Sequence, residues 1–134
     1  MSVETIEKKK LNTDINKKEK IKFKKPSLYR ILLHNNDVTS FQAVIKMLKD
    51  VFLHSEQKAT QIMLEAHRNK RHAQCYDYTS KKIAEEMKTK AEEYCQLNQE
   101  LHPYLYDPQY DVMIPTNFKY LVFSIEEIED NENN

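Results

Sequence analysis

Three consecutive polar residues, Asn35, Asn36 and Asp37, stand where a first strand is expected to end and a first helix to begin. Asn and Asp favour turns at such a point, and their side chains place several acceptor oxygens close together. His67 lies one residue beyond the apolar stripe of the predicted second helix. These groups could accept hydrogen bonds from a small cation, and His67 with Asp37 is also the only candidate acid–base couple.

Three apolar residues accompany this polar cluster. If the first two helices form a hairpin with a short connection, Phe41, Val44 and Met63 can line one apolar hollow beside the turn. An apolar hollow with a few convergent acceptors at its rim suits an ammonium group attached to an apolar side chain. The alternative is that Val44 and Met63 are ordinary core residues, and helical spacing by itself favours that alternative.

The composition removes most enzyme classes. The 134 residues include no glycine, whereas phosphate-binding loops, dinucleotide fingerprints and nucleophile elbows need glycine for close backbone approach or positive φ. The histidines form no HExxH pattern and have no cysteine at metal-ligand spacing, so we expect neither a metal nor a cofactor. Nothing that resembles an oxyanion hole accompanies His67 and Asp37, and we predict that the chain is not an enzyme.

The hydrophobic pattern predicts an α/β sandwich with the order strand, helix, helix, strand, helix, strand. The first strand follows Pro26, and Thr39, Ser55 and Thr79 are the expected N-caps of the three helices. The strands are predicted over residues 28–34, 72–78 and 104–106, with a last β-like run over 118–125.

The charge is concentrated at the two ends of the chain, although 21 basic and 21 acidic residues balance overall. Residues 1–26 carry nine lysines and four acidic residues, whereas the stretch from Glu126 carries five acidic residues and no basic one. Such blocks are usually solvated tails, so we expect residues 1–25 to be a disordered basic arm. The zero net charge argues against a nucleic-acid partner.

No segment has the composition of a membrane span or of a secretory signal. The longest aliphatic run is Ile31-Leu32-Leu33, far below the roughly 20 residues that cross a bilayer. The basic N-terminal stretch has no apolar region of the kind that secretion requires, so we expect a protein that is not secreted. Cys75 and Cys95 could form a disulfide, but without a CxxC arrangement a reduced intracellular pair is favoured.

Three stretches carry a resemblance to a known family. Residues 25–39, KPSLYRILLHNNDVT, are similar to the opening of ClpS, the adaptor of the Clp proteases. Residues 59–67, ATQIMLEAH, are similar to that family's second helix, and residues 102–105, HPYL, match its closing His-Pro motif. The resemblance implies a compact α+β domain over residues 26–107, in which a small three-stranded antiparallel sheet packs against three helices. Residues 108–134 are then expected to be a C-terminal extension.

The resemblance also implies a function. The chain would be an adaptor that captures proteins with a bulky hydrophobic first residue (an N-degron) and delivers them to a Clp AAA+ unfoldase of the ClpA or ClpC type. Asn35, Asn36 and His67 would hold the substrate α-amino group, while Asp37 and Thr39 would shape the loop and bind the substrate backbone. The side-chain pocket would be lined by Phe41, Val44 and Met63, with Tyr104 near its edge.

Further expectations concern the unfoldase and the setting of the protein. Residues 1–25 would be the arm that engages the unfoldase, and a face that includes the third helix, from near Thr79, would dock on its N-terminal domain. The protein is expected to be a monomer without a membrane partner. A bacterial cytoplasm and, for a processed fragment, the plastid stroma of a protist both fit.

Two positions depart from the family pattern in the predicted pocket. Asn36 stands where the family has Asp, so the pocket loses a formal charge, and Asn36→Asp is expected to tighten the binding of free amines. Phe41 stands where the family usually has Met, which should crowd the pocket. The family's glycines near the second strand are also replaced, around Arg71 and Tyr76. The alternative function is an interaction module of similar topology, like the C-terminal domain of the ribosomal stalk protein, without N-degron binding.

Overall fold

The computed structural model describes residues 27–129, and the predicted basic arm lies outside them. A central strand β1 (Leu28–His34) is followed by the helices α1 (Phe41–Phe52) and α2 (Glu56–Glu65) and by a π-helical turn (Ala66–Lys70). The chain continues through β2 (His72–Tyr78), the long helix α3 (Lys81–Leu101), β3 (Tyr104–Asp107) and β4 (Val112–Pro115). A 3₁₀ turn (Phe118–Tyr120) leads into β5 (Val122–Ile128).

The three-stranded sheet has the order β2-β1-β5, and both pairs are antiparallel. Alternation along β1 places Ile31 and Leu33 on the face that the helices cover, and both are almost completely buried. They pack in one core with Met47 and Leu48 of α1 and with residues of α2 and α3. The prediction of an α+β domain with a small antiparallel sheet and three helices is therefore confirmed.

The third strand of this sheet is β5, not the predicted strand at 104–106. β5 pairs with β1 along its whole length, from Val122 opposite His34 to Ile128 opposite Leu28. β3 instead pairs with β4 in a separate two-stranded ribbon. Phe118 and Phe123 contribute fully buried rings to the core. The predicted boundary at residue 107 is thus wrong, because the packed unit continues to the end of β5.

Two of the three predicted helix caps are displaced by one residue. Ser55 caps α2, as predicted, with its hydroxyl accepting from the Lys58 N–H. α1 is capped by Ser40 and α3 by Ser80, instead of Thr39 and Thr79. At α1, Thr39 is instead part of the preceding loop, where its N–H donates to the Asn36 side chain and its hydroxyl donates to the Asn117 carbonyl oxygen.

Because the chain has no glycine, residues with side chains occupy every position of positive φ among residues 27–129. These positions are Leu53, Arg71, Asp111 and Asn117, with φ between 53° and 63°. Asp and Asn tolerate this left-handed region comparatively well, whereas Leu and Arg are strained there. Leu53 ends α1 and Arg71 ends the π-helical turn, so both strained residues terminate helical segments.

Cys75 and Cys95 are free thiols buried in the core. Burial raises the pKa of both, that of Cys95 to about 12. None of the helices within residues 27–129 is long and apolar enough to cross a membrane.

Candidate functional site

The loop between β1 and α1 is held in shape by the side chain of Asn36. Its Oδ1 accepts hydrogen bonds from the backbone N–H groups of Val38 (2.8 Å) and Thr39 (2.7 Å). Its Nδ2 donates to the carbonyl oxygen of Tyr120 at 3.0 Å. Such an Asn-based turn makes the side chain part of the loop scaffold. Both ends of the Asn36 amide are therefore already engaged within the protein.

Thr116 and Asn117, which follow the β3–β4 ribbon, form further hydrogen bonds with the same loop and with the residue after it. The Thr39 hydroxyl donates to the Asn117 carbonyl oxygen (3.0 Å), and the Asn117 side chain donates to the Val38 carbonyl oxygen (3.1 Å). The Ser40 N–H donates to the carbonyl oxygen of Thr116 at 3.1 Å. Sequence reasoning missed Thr116 and Asn117, since no local pattern shows that residues nearly 80 positions apart will meet.

His67 belongs to the π-helical turn that follows α2. That turn runs from Ala66 to Lys70 and closes at Arg71, whose carbonyl oxygen accepts from the Asn35 N–H at 2.7 Å. A direct backbone hydrogen bond therefore ties the turn that carries His67 to the first residue of the loop. Single π-helical turns occur frequently at functional sites, where they re-aim a side chain.

The three residues predicted to line an apolar hollow differ in their exposure. The Phe41 ring is 43% exposed and lies edge to face against the His67 imidazole, with centroids 4.9 Å apart. Val44 and Met63 are each 5% exposed and belong to the main core cluster. As the alternative interpretation expects, these two residues are core. Their further role as the base of a pocket stays a prediction.

The charge available to a cationic ligand is on Asp37, whose side chain is exposed at the tip of the loop, whereas Asn35 is half-buried beside it. A carboxylate, an amide oxygen and a neutral imidazole are all groups that can accept hydrogen bonds from an ammonium group. Tyr104 is 55% exposed at the start of the β3–β4 ribbon. Its predicted place at the pocket edge stays a prediction as well.

The sequence that forms this loop and the two helices matches a known protein family. The family model described as "ATP-dependent Clp protease adaptor protein ClpS" matches residues 24–105. The chain belongs to the ClpS family. ClpS proteins are non-catalytic adaptors of the Clp protease, in line with the prediction that the chain is not an enzyme. The match to the family model ends at residue 105, inside β3. Most of the β3–β4 ribbon and the whole of β5 therefore lie beyond the matched residues.

Individual ClpS proteins show the same likeness. The chain is 38% identical to ClpS of Acetivibrio thermocellus over 87 residues, which are 63% of this chain and 80% of that protein. It is 52% identical to ClpS of Myxococcus xanthus over 50 residues, 37% of this chain and 47% of that one. Apart from the Acetivibrio protein, the chain spans about half the length of the curated relatives it matches.

The fold of this chain is also similar to that of a solved ClpS structure. It is the structure of Agrobacterium tumefaciens ClpS2 bound to L-phenylalaninamide, with a TM-score of 0.53 and 28% sequence identity. The match covers 77% of this chain and 99% of the ClpS2 chain.

Proposed function

We propose that this chain binds proteins whose first residue is bulky and hydrophobic and delivers them to a Clp AAA+ unfoldase for degradation. The observation that carries the proposal is the joining of three parts at one place. These parts are the acceptor-rich loop that begins at Asn35, the π-helical turn that carries His67, and the exposed Phe41 ring in contact with that histidine.

Each part has a role in this function. The α-amino group of a substrate needs acceptors, which Asn35, Asp37 and a neutral His67 imidazole supply. The Thr39 hydroxyl already donates to the carbonyl oxygen of Asn117. Toward the substrate backbone, the Thr39 hydroxyl oxygen can therefore act only as an acceptor. The first side chain of the substrate would contact Phe41 and enter toward Val44 and Met63. Asn36 supports the loop from within instead of holding the amine by itself.

The ligand of the similar structure supports the same chemistry. L-phenylalaninamide, which is bound to Agrobacterium tumefaciens ClpS2, has a free α-amino group, an aromatic side chain and an amide in place of the next peptide bond. It therefore stands in for the first residue of a protein that begins with phenylalanine. We infer that this chain takes the same class of ligand.

A binding panel tests the capture step. Fluorescent peptides that begin with Leu, Phe, Tyr or Trp are titrated with the protein, and the same peptides are titrated after N-acetylation. We expect binding of the free amines and none of the acetylated forms, since acetylation removes the positive charge and two of the three N–H donors. Equal binding of both forms, or no binding of either, would contradict the proposal.

A degradation assay tests the delivery step. A fluorescent protein with an N-terminal Phe is incubated with a ClpC-type unfoldase, its ClpP peptidase and either the full chain or a variant that lacks residues 1–25. We expect the truncated variant to bind the peptides as the full chain does but to support slower degradation. Equal rates would remove the basic arm from the mechanism.

A further inference from the structure

The β3–β4 ribbon presents a continuous apolar face to solvent. Cross-strand pairing places Tyr104 opposite Pro115 and Tyr106 opposite Met113, and the alternation of a strand directs these four side chains to one side. All four are exposed, with Tyr106 at 55% and Met113 at 58%. An exposed face made only of aromatic and apolar side chains is typical of a binding surface.

The ribbon is attached rigidly to the candidate site. Thr116, completely buried at the end of the ribbon, donates its N–H to the Pro103 carbonyl oxygen at 2.9 Å and its hydroxyl to the His102 carbonyl oxygen at 2.7 Å. Its own carbonyl oxygen accepts from the N–H of Ser40, the residue between Thr39 and Phe41. One hydrogen bond therefore separates the root of the ribbon from the rim of the site.

The ribbon also has a definite charge. Residues 103–118 contain two aspartates and no lysine or arginine. Asp111 lies beside the apolar face, where its carboxylate accepts from the Tyr106 hydroxyl at 2.7 Å. The surface is thus complementary to an apolar, aromatic or basic segment and unfavourable to an acidic one.

We propose that this face binds the polypeptide that follows the first residue of a captured protein, an inference that rests on the proposed function. A substrate anchored by its α-amino group has its next residues at the rim, close to the root of the ribbon. A four-residue strand extends about 13 Å, and an extended peptide advances about 3.3 Å per residue. The face therefore has room for three or four further residues, and it favours apolar or basic ones over acidic ones.

The test compares a ligand of one residue with a longer ligand. L-phenylalaninamide and an eight-residue peptide that begins with Phe and continues with Leu and Lys compete for the protein against a fluorescent N-degron peptide. The variant Tyr106→Ser/Met113→Ser removes the half of the apolar face that lies farther from Thr116. The matched control Tyr110→Ser/Val112→Ser changes exposed residues of the turn and of β4 outside that face.

We expect the Tyr106→Ser/Met113→Ser variant to bind the long peptide about fivefold more weakly, a loss of about 1 kcal/mol. Binding of L-phenylalaninamide should be unchanged in this variant, which also shows that it is folded. The control variant should bind both ligands as the unaltered chain does. Replacing Leu and Lys of the peptide by Glu should weaken its binding to the unaltered chain.

The outcomes separate the two proposals. If the unaltered chain binds neither ligand, the proposed function fails. A second case is that the unaltered chain binds L-phenylalaninamide, but Tyr106→Ser/Met113→Ser does not change the affinity for the long peptide. In that case only the inference about the ribbon is overturned. The same holds if the control variant lowers this affinity as much as Tyr106→Ser/Met113→Ser does. The inference is also overturned if the variant changes self-association or unfoldase binding and leaves peptide affinity unchanged, since the occupant is then a second copy or the unfoldase.

Discussion

The ring of Phe41 meets the imidazole of His67 edge to face, with the two planes at 71°. Phe41 is the first residue of α1, and His67 belongs to the π-helical turn after α2. Their contact therefore bridges the two helices at the rim of the candidate site. The shape of residue 41 consequently influences both the space for a substrate side chain and the position of the imidazole.

Replacing Phe41 by Met should broaden the range of accepted first residues. Met is unbranched and flexible, so it can move aside for a large ring where the Phe41 ring cannot. We expect affinity for peptides that begin with Trp or Phe to rise about threefold to tenfold relative to those that begin with Leu, or about 0.7–1.4 kcal/mol. Fluorescence anisotropy gives the ratio, and Gln42→Ala on the same helix is the control. An unchanged ratio would show that Phe41 does not limit the pocket.

The two neighbouring loop positions should respond differently to a change of charge, because Asn36 is engaged within the loop and Asp37 is exposed. Asn36→Asp preserves the acceptor for Val38 and Thr39 but sets a carboxylate oxygen against the Tyr120 carbonyl oxygen, in place of a donor. We expect a loss of about 1 kcal/mol of stability and no gain in affinity. Asp37→Asn removes the exposed charge and should weaken the binding of peptides with a free amine about fivefold.

Thermal unfolding and peptide titration measure both variants, with N-acetylated peptides and Glu86→Gln on α3 as controls. Tighter binding by Asn36→Asp would mean that residue 36 faces the ammonium directly, as the comparison with the family's Asp suggests.

Leu53→Gly should stabilise the protein. Leu53 has φ of 60° at the end of α1 and is 83% exposed, so its backbone is strained while its side chain gains no burial. Glycine adopts this conformation without steric cost, and we expect a gain of about 1 kcal/mol, or about 4 °C in Tm. Lys49→Gly, in the last turn of the same helix, is the matched control and should destabilise by about 1 kcal/mol. A lower Tm for Leu53→Gly would show that Leu53 makes a compensating contact.

The hydroxyl of Tyr94 should stabilise the protein only where Asp50 is ionised. Partial burial opposes the charged form of Asp50, but the hydrogen bond from Tyr94 and the nearby Lys46 and Lys49 outweigh it and hold the pKa of Asp50 below its ordinary 3.8. A lowered pKa stabilises the fold above the unfolded-state value, and this contribution disappears as the pH falls through the folded-state value.

Tyr94→Phe keeps the ring against Phe118 and removes only the hydrogen bond. Because Asp50 is partly exposed, we expect a loss of at most about 1 kcal/mol at pH 7 that shrinks as the pH falls below 3.8. Chemical denaturation from pH 7 to pH 2.5 measures it. Tyr110→Phe, whose hydroxyl accepts from Gln109, is the control and should show no such pH dependence. A difference for Tyr94→Phe that persists in acid would mean that packing, not Asp50, causes it.

Local patterns predicted the elements whose signals lie within a few residues. The strands at 28–34 and 72–78 have the bounds that alternation and turn residues indicated. The cap of α1 is Ser40 instead of Thr39, whose N–H and hydroxyl are both engaged in the loop by Asn36 and Asn117, contacts that a capping pattern alone does not reveal.

Long-range pairing was beyond the reach of such patterns. The runs at 104–106 and 118–125 both have strand character, and only the packing of Phe118 and Phe123 against the core decides which of them joins β1. The same limit applies to the site. Its loop and histidine could be found from the family motifs, but the hydrogen bonds from Thr116 and Asn117 depend on the path of the ribbon.

The pairing of Leu28 with Ile128 has a practical consequence for protein engineering. The first residue of β1 and the last residue of β5 are cross-strand neighbours, so the segment from Leu28 to Ile128 can be inserted into a surface loop of a host protein without spreading that loop apart. The candidate site lies at the opposite end of β1, about 20 Å away over a seven-residue strand. A host joined at this end of the sheet would leave the loop at Asn35 open, so that, given the proposed function, the inserted segment would serve as a transplantable sensor for N-terminal residues.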